Sequence, residues 1–180
     1  APLIEQTNEI VRRINAVAGC LVLPEARAII PKAGRLPGID GKAKMSKSSG
    51  NAIALSASPE QFRNAVRAMF TDPNHLRVED PGCIEGNVVF AYLDAFDQDQ
   101  HELAELKTQY QRGGLGDGTI KARLEAILQD LIAPIRERRA QLSEDRGYVL
   151  EVIKEGTDRA RERTEATKRE VVNALGLFQL

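Results

Sequence analysis

From residue 58 onward, about two thirds of this 180-residue chain, the apolar residues fall at three- or four-residue spacing between recognisable helix caps. That punctuation confines this region to helices. Ser58-Pro59-Glu60-Gln61 has the form of a helix start: Ser58 as N-cap, Pro59 at the first helical position, Gln61 closing a capping box. Phe62, Ala65, Val66, Met69 and Phe70 then make an apolar face, and Asp72-Pro73 ends it. After a loop at 73–86, Asn87 caps a helix carrying Val88, Val89, Tyr92 and Phe96. Asp99 caps the next, with Glu102 at N3 and Leu103, Leu106 and Tyr110 inward, until Gly113-Gly114 stops it. Asp117 is expected to cap the longest helix, whose buried stripe reads Ile120, Leu124, Ile127, Leu128, Leu131, Ile135 and Leu142, kinked at Pro134. Ser143 is expected to restart a helix through Val149, Val152 and Ile153, and Gly156 to interrupt it. A last polar helix then runs to Leu175, with Gly176 as its cap.

The first 57 residues are mixed. Leu3, Thr7, Ile10, Val11, Ile14 and Val17 share one face of a helix over 3–18, which Gly19 stops. Leu21-Val22-Leu23 and Ala28-Ile29-Ile30 read as short strands or buried extended segments. A loop rich in Gly, Lys and Ser runs from about Pro31 to Asn51. The expectation is a mainly α chain: a short mixed segment, then an all-helical region.

Composition narrows the classes. Hydrophobic residues are 42% and charged residues 28%, as in ordinary globular proteins, which sets aside disorder and collagen-like folds. No apolar run approaches the roughly 20 residues a membrane helix requires. Two isolated cysteines, Cys20 and Cys83, make no disulfide framework and fit a reducing cytoplasm. The two histidines, His75 and His101, are equally isolated, so no protein metal site is expected. Net charge is +4 over 1–50, −6 over 51–110 and +1 over 111–180. The near-neutral total argues against non-specific nucleic-acid binding, yet a local basic loop can still hold a polyanion.

That loop is Lys44-Met45-Ser46-Lys47-Ser48, followed by Ser49-Gly50-Asn51. Two ammonium groups three residues apart can converge on one phosphate chain, and Ser46, Ser48, Ser49 and backbone N–H groups beside Gly50 can add hydrogen bonds. A solvated surface loop is the other reading of such a charge cluster. Gly34, Pro37, Gly38 and Gly41 upstream give it hinges, and without a triphosphate its lysines should keep it open. Gly113-Gly114-Leu115-Gly116-Asp117-Gly118 follows a helix rather than a strand and reads as an inter-helix turn, not a nucleotide fingerprint. Arg136, Arg138 and Arg139, and Arg159, Arg161 and Arg163, read as solvated helix faces with i,i+4 pairs; contact with nucleic-acid phosphates is the alternative.

The pentapeptide is letter for letter the KMSKS signature of class I aminoacyl-tRNA synthetases. Its surroundings resemble the tryptophanyl-tRNA synthetases: Ile4-Glu5-Gln6-Thr7-x-Glu9, Pro24-Glu25-Ala26-Arg27, Ile30-Pro31-Lys32-x-Gly34-Arg35, Tyr92-Leu93, Gly114-x-Gly116, Pro134-Ile135-Arg136-Glu137-Arg138 and Glu155-Gly156. Tyrosyl-type synthetases rank second. The resemblance spans essentially the whole chain and implies ATP-dependent ligation of tryptophan to tRNA. It implies catalytic roles for Lys44 and Lys47, and ATP binding by Lys44, Met45, Ser46, Lys47, Ser48 and Leu36, with Leu36 at a backbone contact to adenine. Mg²⁺ is expected to arrive with ATP, the partners to be tRNA(Trp) and tryptophan, and the protein to be a cytoplasmic homodimer.

No His-x-Gly-His element occurs. The chain is therefore expected to be the C-terminal half of such an enzyme. Residues 1–57 would be the end of its Rossmann-type domain with the KMSKS loop, and 58–180 its helical anticodon-binding domain. Alone, it is expected to be inactive. Two non-catalytic readings stand beside this one, a helical RNA-binding module and a helical dimerisation scaffold.

Overall fold

The computed structural model describes residues 2–31, 33–42 and 44–178, and among them it is helical with no strand. They fall into two units: one holds the residues up to Ile30 and those from Leu142 onward, the other is Pro31–Gln141. No helix is long and apolar enough to cross a membrane among the described residues.

The first unit begins with α1 (Pro2–Ala18), which buries only Asn8 and Val11. Leu3 and Val17, placed on its apolar face by periodicity, stand 77% exposed. Gly19, at φ 67°, ends the helix as expected. The segment after it corrects the sequence reading: 21–30 is irregular, bent at Leu23, neither paired as a strand nor buried, and Ile29 is 97% exposed. Its polar groups are met by side chains of α1. Asn15 accepts from the N–H of Val22 (2.9 Å) and Leu23 (3.0 Å) and donates to the Leu23 carbonyl (2.9 Å). Asn8 makes the same two-way pairing with Ala26, at 2.7 and 3.0 Å. Arg12 forks onto Glu25 and also reaches Glu5. Backbone satisfaction, usually a neighbouring strand's task, is here done by two asparagines.

The second unit carries the core. In α2 (Pro59–Arg67) the Ser58 hydroxyl accepts from Gln61 N–H (3.1 Å) while the Gln61 side chain accepts from Ser58 N–H (2.9 Å), the capping box in full. Phe62 and Val66 are buried on its one face. The helix stops at Arg67, earlier than Asp72-Pro73. Phe70 instead runs extended, its N–H to the Ile39 carbonyl (2.8 Å) and its carbonyl to Val88 N–H (3.1 Å), and its ring is 43% exposed. Helix α3 (Val88–Phe96), capped by Asn87, is apolar almost all round and sits at the centre, burying Val88, Val89, Phe90, Tyr92 and Leu93. Asp99 caps α4 (Gln100–Arg112), which buries Leu103 and Tyr110.

Helix α5 (Asp117–Glu144) differs from expectation in two ways. Asp117 lies inside the first turn, not at the cap, because its carboxylate is claimed elsewhere: Tyr110 Oη donates to Oδ1 (2.8 Å) and Thr71 Oγ1 to Oδ2 (2.5 Å). Its buried row is Ile120, Leu124, Leu128 and Ile132, a strict i,i+4 line that leaves Leu131 and Ile135 nearly half exposed. The helix continues through Pro134, as the sequence reading has it. Then Asp145, rather than Ser143, caps α6 (Arg146–Ala174) by accepting from Tyr148 N–H at 2.8 Å. Gly156 does not interrupt α6, and Gly176 closes it at φ 63° with the N–H of Leu177 on the Val172 carbonyl (3.0 Å).

A polar knot ties loop 71–87 to α4 and α5. His75, its side chain 2% exposed, lies 4.5 Å from the Tyr110 ring centroid, with Nδ1 at 3.3 Å from Asp117 Oδ1. Asn87 Nδ2 donates to Tyr110 Oη at 3.3 Å. Asp72 accepts backbone N–H bonds from Asn74 and Cys83, which hold its carboxyl below the ordinary carboxylate range. Burial first, then the adjacent Asp117 carboxylate, pushes the Tyr110 hydroxyl far above its ordinary pKa.

Candidate functional site

The lysine loop hangs from a fixed root. Gly38 to Gly41 turn back on themselves: Gly41 N–H donates to the Gly38 carbonyl (3.0 Å), and Gly38 N–H to that of Lys42 (3.1 Å). Gly41 takes φ 78°, which a side chain would resist. Ile39 N–H reaches across to the Asn51 carbonyl at 2.9 Å and closes the loop. Leu36, Ile39, Met45 and Ile53 pack, partly buried, against the core of the second unit. Tyr92 Oη donates to the Pro37 carbonyl at 3.0 Å, and burial pushes this phenol up to about 12.

At the centre of the root is Asn51, 3% exposed. Its Oδ1 accepts from Ser46 N–H (2.8 Å), and its Nδ2 donates to Asp40 Oδ1 (2.9 Å) and the Lys44 carbonyl (3.2 Å). The Asn51 hydrogen bond above all, with the Lys42 N–H beside it, outweighs burial and holds the Asp40 carboxyl below the ordinary range. Lys42 Nζ lies 3.4 Å from the same carboxylate.

Beyond the root, residues 47–50 form a tight turn: Ser49 N–H donates to the Ser46 carbonyl (3.2 Å) and Gly50 N–H to that of Lys47 (3.3 Å), with Gly50 at φ 66°. The Ser46 and Ser48 hydroxyls lie 2.8 Å apart. Lys44 and Lys47 are exposed, and neither has an acidic partner among the described residues. Lys42 is thus the neutralised lysine of the three, and the other two leave positive charge concentrated on a small turn with hydroxyl donors. An arrangement of this kind attracts a polyanion and can hydrogen-bond its oxygens.

The candidate residues therefore divide. Lys44, Lys47, Ser46 and Ser48 come together on one turn and its approach, whereas Met45 and Leu36 are half-buried against the core and anchor the loop. Asn51 and Asp40 carry no role in the sequence pattern, and Gly38 enters it only as a hinge. Burial of a loop asparagine is invisible in composition, although an Asn directly after Ser-Gly and a glycine thirteen residues before it are the residues such a clamp needs.

The other sequence candidates have the following contacts. The glycine-rich stretch joins α4 to α5, where Gly113 at φ 93° brings its backbone against the Glu79 carbonyl. Arg159 pairs with Glu155 at i,i+4 (3.6 Å) as expected, Arg161 with Asp158 at i,i+3 (3.1 Å), while Arg136 is half-buried and donates to Gln129 Oε1 (2.8 Å). Among the described residues no group of three or more His, Cys, Asp or Glu is placed to hold a metal ion.

Comparison with known proteins agrees with the loop. The family model for class I tRNA synthetases (W and Y) matches residues 2–133. The chain is 50% identical over 178 residues to tryptophan–tRNA ligase of Clostridium longisporum, covering 98% of this chain and 52% of that protein. It is 51% identical over 181 residues to that of Streptococcus pneumoniae, covering 98% and 53%. The chain thus spans about half the length of the curated relatives it matches. Among solved structures, tryptophanyl-tRNA synthetase from Campylobacter jejuni complexed with ADP and tryptophan superposes with a TM-score of 0.69 at 27% identity, over 97% of this chain and 53% of that one. The synthetase from Giardia lamblia superposes at 0.51 with 33% identity, over 58% and 27%. With the signature turn in place and the family model matching most of its length, the chain belongs to the class I tRNA synthetases of the tryptophan and tyrosine group.

Proposed function

We propose that this chain is the C-terminal part of an ATP-dependent tryptophan–tRNA ligase, and that its Lys44–Ser48 loop serves amino-acid adenylation. The observation that carries the reading is the turn itself: two lysines without acidic partners on a root pinned by Asn51. The half-length identity to tryptophan–tRNA ligases supports tryptophan over tyrosine. In the reaction the carboxylate of the amino acid attacks the α-phosphorus of ATP, the bond to the bridging oxygen breaks, and pyrophosphate leaves. Acyl transfer to the tRNA ribose follows. Lys44 and Lys47 stabilise charge that builds on the departing pyrophosphate, and Ser46 and Ser48 hydrogen-bond its oxygens. Mg²⁺ enters as the cation of the ATP substrate. Leu36 stands where a backbone contact to adenine is expected.

Residues 1–57 are read as the end of the Rossmann-type domain and 58–180 as the helical domain that meets tRNA(Trp), in a cytoplasmic homodimer. The exposed apolar side chains of Leu21, Ile29 and Ile30 support the first assignment, as residues that a fuller domain would cover. The chain by itself should show no tryptophan-dependent pyrophosphate exchange.

The test is Lys47→Ala in the whole enzyme, with adenylate formation followed before steady state and the ATP Kd measured separately. Loss of one pre-organised charge contact should lower the adenylation rate by about 10²–10³-fold with a much smaller change in Kd. Lys47→Arg should recover part of the rate, because a planar guanidinium places its charge differently. Lys42→Ala, already paired with Asp40, should change the rate by less than about tenfold. Equal effects at Lys42 and Lys47 would reduce the loop to a general anion patch.

A further inference from the structure

We propose that Asn51 is the positioning residue of the lysine loop, holding Lys44 and Ser46 in the backbone arrangement that a polyphosphate meets. The proposal rests on the reading of this loop as polyphosphate-binding. One carboxamide uses both its N–H donors and its oxygen on three separate points of the loop: the Lys44 carbonyl and Asp40 accept, and Ser46 N–H donates. Its own backbone carbonyl takes the Ile39 N–H, so both ends of the loop meet at this residue.

The surroundings are built for that side chain. A Cβ on Gly38 would stand 2.2 Å from Asn51 Nδ2 and 2.7 Å from its Cγ, so any residue larger than glycine displaces the carboxamide. Asp40 is fixed in turn by Lys42 N–H at 3.1 Å. Asn51 touches neither lysine side chain in this network. Its effect is to fix the chain on both sides of Met45, whose side chain packs toward the core. Lys44 and Ser46 therefore leave from set points, and the exposed 47–50 turn that carries Lys47 is left to adjust. A loop held in its competent arrangement for a smaller fraction of the time binds more weakly by that fraction.

Asn51→Ala removes the clamp and leaves the net charge unchanged. The probe is inorganic tripolyphosphate, titrated into this chain by calorimetry, with amide hydrogen exchange read residue by residue. In Asn51→Ala the Ser46 amide should exchange at least about tenfold faster, while the amides of α3 keep their protection. Affinity for tripolyphosphate should fall by about tenfold, as for a loop competent roughly one tenth of the time. Gly38→Ala should reproduce both effects from the other side of the contact.

Asn51→Asp keeps an acceptor for Ser46 N–H but loses the donations to Asp40 and the Lys44 carbonyl and sets two carboxylates side by side. Asp40→Asn relieves that contact, so it should raise affinity at least about threefold more in the Asn51→Asp background than in the parent, a coupling that general damage to the fold would not give and from which the common change in charge cancels. If Asn51→Ala unprotects α3 as well, this cycle decides: coupling supports the role and its absence overturns it. An unchanged Ser46 amide in Asn51→Ala overturns the assignment. So does an affinity within about twofold of the parent when Lys44→Ala with Lys47→Ala abolishes binding. If the parent chain binds no tripolyphosphate, or binds it equally well without the two lysines, the reading of the loop fails and the proposal with it.

Discussion

Replacing Tyr110 by Phe removes one oxygen atom from the centre of the second unit, and the structure sets what that should cost. The ring is fully buried, packed 5.1 Å from Phe90 and 4.5 Å from His75, so Phe fills the same space and no cavity opens. What is lost is a hydrogen bond donated to the Asp117 carboxylate at 2.8 Å and one accepted from Asn87 Nδ2 at 3.3 Å. A hydrogen bond to a charged group contributes about 1.5–3 kcal/mol, and a buried amide left without an acceptor costs about 1–3 kcal/mol. The Asp117 side chain is 26% exposed and keeps Thr71 as a donor, so water offsets part of the first loss. Asn87 is 2% exposed and has no such relief on that side. The sum is about 2–4 kcal/mol of destabilisation.

Urea titration of the chain, followed by the fluorescence of its tyrosines or by circular dichroism, reads this as a lower midpoint at unchanged slope. Alkaline pH supplies a second arm. The folded-state pKa of Tyr110 is raised, so the unfolded chain loses the phenolic proton first. The stability it contributes is whole below about pH 10 and drains away as pH climbs toward the folded value. Tyr110→Phe should therefore flatten the alkaline fall in stability, leaving the part owed to Tyr92. A destabilisation under about 0.5 kcal/mol, or an alkaline limb unchanged from the parent, would refute the account of this knot.

Three further outcomes follow from the same structure. Gly113→Ala should destabilise strongly or prevent folding, since the added Cβ would meet the Glu79 carbonyl 2.2 Å away at φ 93°; a Tm within about 2 °C of the parent would contradict this. Leu124→Ala, on the buried row of α5, should cost about 2–5 kcal/mol, against well under 1 kcal/mol for Leu131→Ala at 46% exposure, both read by urea titration. Acid should loosen the loop root. Asp40 is held below the ordinary carboxylate range chiefly by Asn51, so its contribution is present above about pH 4 and is lost as pH falls through the lower folded value. Faster exchange at Ser46, corrected for the intrinsic pH dependence of amide exchange, should accompany that descent, and Asp40→Asn should abolish its pH dependence.

Much of this molecule can be read from local chemistry. Ser58, Asn87 and Asp99 cap the helices they precede because a short polar side chain reaches the free N–H groups of a first turn wherever the chain later goes. Gly19 and Gly176 end helices for an equally local reason, the absence of a Cβ at positive φ. The Lys44–Ser48 pentapeptide identifies the family because its chemistry is carried by residues adjacent in the chain.

The misreadings share a different cause. Asp117 has the composition of a cap, but Tyr110 and Thr71, 7 and 46 residues away, claim its oxygens, and only the packed chain brings them there. Ile132 rather than Leu131 is buried because the helix axis, not the periodicity, chooses which of two adjacent apolar rows faces α2 to α4. Leu21 and Ile29 look like strand residues, yet a strand is defined by the neighbour that pairs with it, and in this chain Asn15 and Asn8 take that place. Asn51 is the same lesson at the site. The lysines that meet a ligand are legible in order along the chain, while the residue that holds them depends on Gly38 and Asp40 folding back against it. Helix ends and charge are set by neighbours in sequence; burial and long-range hydrogen bonds are set by neighbours in space, which only the tertiary structure supplies.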